Sequence, residues 1–98
     1  VSADIEAIAK AVERAADCAA THLETVAVVD TFRGQTMWEG IVEVFALLRH
    51  AKAKRAYGWI DGKGQDRRFT AVLEIPPVVD ALSAVRASIV AQAKNKTP

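Results

Sequence analysis

The spacing of apolar positions changes several times along this chain, and each change marks an element. Ile5, Ile8, Val12, Ala15, Ala16, Ala19 and Leu23 recur mostly at steps of three and four. That is the period of one helical stripe and predicts a helix over residues 3–23, with Ser2 as N-cap and Asp4 and Glu6 favoured by the helix dipole. Residues 25–33, TVAVVDTFR, are rich in β-branched side chains and predict a first strand. Arg33-Gly34-Gln35 suits a hairpin turn. The longest apolar stretch, residues 36–48, predicts a second strand with apolar side chains on both faces. Trp38, Val42, Val44 and Leu48 share one face, and Glu39, Ile41, Glu43, Phe45 and Leu47 share the other. Gly40 suggests a bulge or a close approach of backbone. Residues 54–61 predict a third strand, 62–65 a loop and 66–75 a fourth strand, which Pro76-Pro77 ends. Asp80 then caps a helix over 80–94, with Leu82, Val85 and Ile89 inward and Lys94 near its negative end.

This order, α-β-β-β-β-α, predicts a single α+β domain. Short connections favour an antiparallel meander with both helices on one face of the sheet. Such a sheet leaves its second face, carrying Ile41, Phe45 and Leu47, in need of cover. A symmetric homodimer is the commonest way to hide a patch of that kind, so self-association through these three residues is expected.

The pairing of the third and fourth strands decides what the aromatic residues do. If Asp61 pairs with Asp66, Trp59 faces Arg68, Tyr57 faces Thr70 and Arg55 faces Val72. Tyr57 and Trp59 then lie on an aromatic, basic, exposed face. A slip of one residue sends both into the core with Phe69, Ala71, Leu73 and Ile75. Both registers stay open on the sequence alone.

Composition narrows the classes. With 98 residues, 51% of them apolar and 26% charged, the chain is an ordinary globular domain near the small end of the range. No apolar run reaches the roughly 18–20 residues of a membrane span. The opening residues lack a signal peptide's basic-then-apolar plan, and Cys18 is the only cysteine. A reducing cytoplasm is therefore expected, with no disulfide, thiolate metal site or cofactor. The formal net charge is +1, but seven basic residues crowd into 49–68 (Arg49, Lys52, Lys54, Arg55, Lys63, Arg67 and Arg68) against Asp61 and Asp66. The rest of the chain is acidic, which hints at an anionic partner.

Candidate chemistry is sparse. His50 lies among cations and is the histidine best placed to bind an anion; His22 reads as a cap at the end of the first helix. Cys18 reads as a small buried hydrophobe. Glu39 and Glu43 share a sheet face that Glu74 could join, and ordinary pairing with Arg55 or Arg68 is the expected role. The segment 61–66, DGKGQD, fits neither a calcium loop, because Lys63 stands at a ligand position, nor a phosphate loop. No metal site or catalytic residue is predicted. His50, Lys52, Lys54, Arg55, Tyr57, Trp59 and Arg68 form the expected binding region. Single-stranded nucleic acid is an alternative ligand for them, with Tyr57 and Trp59 as stacking platforms. An enzyme using His50 with a sheet glutamate is the third reading.

Residues 38–45 (WEGIVEVF), 50–59 (HAKAKRAYGW) and 69–78 (FTAVLEIPPV) resemble a group of small uncharacterised bacterial proteins. Those share W-x-G-x-V-E-V-F, H-x-K-A-K-R-x-Y-x-W and V-L-E-x-P-P-V. The resemblance implies a bacterial source and no activity. That family often has proline after the histidine where this chain has Ala51, which implies a less rigid loop here. The function expected overall is a non-enzymatic homodimeric interaction or small-ligand-binding module.

Overall fold

A computed structural model describes residues 3–62, 65 and 67–95. Val1, Ser2, Lys63, Gly64, Asp66 and residues 96–98 lie outside them, as do the side chains of Ala3, Ala93, Lys94 and Asn95. The elements are α1 (Ala3–Ala16), β1 (Ala20–Phe32), β2 (Gln35–Leu47), β3 (Arg55–Asp61), β4 (Arg68–Leu73) and α2 (Ala81–Asn95). The strands form one antiparallel sheet in the order β1-β2-β3-β4, the expected meander.

The first helix stops earlier than its alanine-rich stripe predicts. Asp17 adopts a left-handed conformation (φ 56°) and its N–H still reaches the Glu13 carbonyl at 2.8 Å. Aspartate is one of the few residues that tolerates this conformation at a helix end. The Glu13 carboxylate then accepts the Ala20 N–H at 3.1 Å, turning the chain into β1. Residues 20–24 are therefore strand, and Cys18 lies in the intervening turn, half-buried. At the other end of β1, the turn is the two-residue Arg33-Gly34, both with positive φ (53° and 79°). That conformation matches the right-handed twist of a tight hairpin.

The helices divide between the two faces of the sheet, contrary to the one-sided arrangement expected. Ile8, Val12 and Ala16 of α1 pack on Phe45, Leu47 and Ala56. Ala81, Ala84 and Val85 of α2 pack on Val28, Val42, Val44, Tyr57 and Trp59. Gly58 makes the first contact feasible. A Cβ there would stand 2.5 Å from Ile8 Cγ2 and 3.0 Å from Val12 Cγ2, so α1 settles onto bare backbone. The long second strand, apolar on both sides, is thus covered by the chain's own helices. Phe45 is fully buried and Leu47 nearly so, which removes them as a dimer face; Ile41, beside the first turns of α1, is 53% exposed.

Asp61 pairs with Arg68, Trp59 with Thr70 and Tyr57 with Val72. The pairing is two residues away from the Asp61–Asp66 register, so the faces keep the alternation of that register. The expected consequence nevertheless fails. Tyr57 and Trp59 do share a face with Arg68 and Thr70, but α2 lies over it and both rings are buried.

At the start of α2, Asp80 Oδ1 accepts the Ser83 N–H at 2.8 Å and Ser83 Oγ accepts the Asp80 N–H at 2.9 Å. This reciprocal cap holds the Asp80 carboxyl below the ordinary aspartate value, chiefly through the backbone hydrogen bond from Ser83.

Candidate functional site

Two polar constellations each join a strand carboxylate to neighbouring donors, one on each face of the sheet. On the α2 face, Asp61 accepts hydrogen bonds from the Trp38 indole N–H (3.3 Å, Oδ1), the Trp59 indole N–H (3.0 Å, Oδ2) and the Thr70 hydroxyl (3.2 Å, Oδ2). The two indoles meet edge to face with centroids 5.8 Å apart. Gly40 explains how Trp38 gets there: its ring folds across the strand, and a Cβ at Gly40 would stand 2.8 Å from Cη2. The close approach is by a side chain, and the bulge lies nearby at Met37, where Asp30 pairs with Trp38 but Thr31 with Thr36. A small recess of about 210 Å³ beside this cluster is bordered by Arg68, Ser88 and Gln92. Every donor of the cluster is already used on Asp61, so its role is to let two tryptophans be buried without stranding their N–H groups.

On the same face, the Tyr57 hydroxyl donates to Glu74, and burial followed by that carboxylate pushes the phenol well above its ordinary value. Asp30 is buried and paired with Arg86 of α2 at 3.1 Å.

The α1 face is organised differently. Glu43 lies in the middle of β2, paired with Gly58, and is 6% exposed. Its Oε1 accepts from His22 Nε2–H at 2.8 Å and from the Thr25 hydroxyl at 2.5 Å. Residues three apart in a strand normally face opposite ways. Here His22 pairs with Phe45, Thr25 with Glu43 and Glu24 with Val44, leaving Leu23 as an extra residue. That β-bulge turns His22 and Thr25 onto one face, where both close on the same oxygen. The His22 ring also packs edge-on against Phe45, centroids 5.4 Å apart.

No described residue donates to the second oxygen, Oε2, yet no enclosed side-chain oxygen or nitrogen of the described residues lacks a partner. Oε2 is therefore not enclosed, and Glu43 lines a groove of about 480 Å³ beside the first turns of α1. Four isoleucines, Ile5, Ile8, Ile41 and Ile60, form the walls; Thr25 and Glu43 line the floor and Asp4 the rim.

The expected binding region is not assembled. His50 Nδ1 accepts the backbone N–H groups of Lys52 (3.1 Å) and Ala53 (2.9 Å), so its ring organises the β2–β3 loop. Lys52, Lys54 and Arg55 lie in or beside that loop, whereas Arg67 and Arg68 lie at the far end of the β3–β4 pair. Arg67 is engaged with Asp4 at 2.9 Å. Lys63 is outside the described residues. Tyr57 and Trp59 are interior. Among the sheet glutamates, Glu43 pairs with His22 rather than with an arginine, Glu39 is exposed, and Glu74 takes the opposite face. His22, read as a helix cap, is the residue of the Glu43 constellation that sequence reasoning missed; Thr21 ahead of the β-branched run at 25–29 was the only signal that strand begins so early. No group of three or more metal-ligating side chains that could hold an ion occurs among the described residues, and no helix among them is long and apolar enough to cross a membrane. Comparison of the chain with protein-family models, with curated proteins and with solved structures gives no match.

Proposed function

We propose that the protein is a non-enzymatic small-ligand-binding module whose site is the isoleucine-walled groove beside α1. One observation carries this reading: Glu43 is buried, has one oxygen held by two internal donors, and lines a concave surface walled by four isoleucines. A few fixed polar groups in an apolar recess of several hundred Å³ are the usual make-up of a small-molecule site. Titrating isotope-labelled protein with a fragment library tests it by NMR. Binding should shift the amides of Thr25, Ile41, Glu43 and Ile60; a library that perturbs only other regions, or none, overturns the proposal.

Self-association is a second reading, on a different surface from the one expected. Apolar residues run round α2, and Val90 on its outer side lies beside Phe32 and Met37 of the β1–β2 hairpin. The charged residues there, Arg86 and Asp30, already pair with each other, so a second copy could cover the strip without stranding a charge. Sedimentation at micromolar concentration should show a dimer that Val90→Asp dissociates; a monomer throughout removes this reading. Nucleic-acid binding loses the two stacking platforms expected for it, since both aromatic rings of β3 are interior.

A further inference from the structure

Resting on the groove as the binding site, we infer that its ligand is a primary aliphatic amine, bound as the ammonium with its head on Glu43 Oε2 and its hydrocarbon body between the isoleucines. Three features select this class. The buried charged side chain of the groove, Glu43, is a carboxylate, while Asp4 at the rim is already engaged by Arg67; a carboxylate favours a cationic head and repels an anionic one. The walls are aliphatic, with no ring to stack on, so a branched or short-chain alkyl body fits better than a planar one.

The third feature separates an ammonium from a guanidinium. A guanidinium gains most when it engages both oxygens of a carboxylate in a fork. Here Oε1 already accepts from His22 and Thr25, and only Oε2 is open. A compact head that donates to one oxygen matches what is offered. His22 and Thr25 are positioning residues in this scheme. They fix the carboxylate rotamer so that the free oxygen points into the groove before any ligand arrives.

The experiment compares three probes of one shape by calorimetry and amide-shift titration at pH 7 and low salt: 3-methylbutylamine, 3-methylbutan-1-ol and 3-methylbutanoate. The amine should bind at least tenfold more tightly than the alcohol, and the acid should show no binding. Glu43→Gln should abolish the preference, with the amine losing at least tenfold and the alcohol unchanged. Ile41→Trp, a substitution at an exposed wall position, should block amine and alcohol alike with the fold intact, and provides the check if the Gln variant does not fold. Alcohol or acid binding as tightly as the amine, or Glu43→Gln binding the amine normally, overturns the amine assignment while leaving the groove as a binding site. Failure of all three probes together with a blank fragment screen overturns the assignment and the site with it.

Discussion

The two faces of this sheet bury ionisable groups in opposite ways. Under α2, large aromatic side chains do the filling, and their polar ends converge on Asp61 and Glu74 until every donor is spent. Under α1, small and aliphatic residues surround the single ring of Phe45: Gly58, Ala56 and Ala16 let the helix sit close, and Ile41, beside its first turns, stays more than half exposed. One face is closed and internally satisfied. The other is shallow, and retains a carboxylate oxygen with no internal donor. The difference teaches that burial alone does not mark a candidate site; what singles out the groove is a polar atom that the fold leaves open and without an internal donor.

The sharpest way to break the closed face is Trp59→Ala. It removes a fully buried ring and one of the three donors to Asp61, and should cost about 3–5 kcal/mol in urea unfolding. On the other face Gly58→Ala forces Ile8 and Val12 aside and should cost about 1–3 kcal/mol, with altered amide shifts along α1 rather than α2. Asp80→Ala removes the cap of α2, a loss of about 0.5–2 kcal/mol. Because the folded state lowers the Asp80 value, that contribution is complete above the ordinary aspartate range and disappears as pH falls through the folded value; Asp80→Asn should flatten this acid limb in pH-dependent melts. Tyr57 gives the converse limb. The folded state holds its proton more tightly than the unfolded chain, so stability is level below about pH 10 and declines above it, and Tyr57→Phe should remove the decline. The smallest effect belongs to Ile41→Ser, within about 0.5 kcal/mol, since the side chain is more than half exposed.

Much of the fold was readable from residue patterns, and the readable parts share a cause. The β2 stretch is long and doubly apolar, Arg33-Gly34 is a hairpin signal, and Asp80 with Pro76-Pro77 brackets the start of α2; each is local chemistry. What failed depended on distant partners. The stripe from Ile5 to Leu23 runs on at helical spacing past Asp17, and nothing in it reveals that Glu13 will bond Ala20 and end the helix there. Alternation correctly grouped Tyr57 with Thr70, yet the exposure of that group depended on which helix crossed it. Apolar demand on both sides of β2 was legible; that one chain could meet it with a helix on each side rested on Gly58, whose missing side chain has no signature in a hydropathy pattern. The candidate site was illegible for a related reason. His22 and Thr25 stand at a spacing that normally separates them, and only the pairing with β2 shows that they meet.

The bulge at Leu23 makes the arrangement around Glu43 depend on one residue staying outside the ladder. Drawing Leu23 into the ladder opposite Phe45 restores strict alternation, which carries the imidazole to the α2 side while Thr25 stays opposite Glu43. The carboxylate then has a single internal donor and is free to swing. Spacing in the backbone, as much as the identity of any side chain, sets the direction in which that acid points.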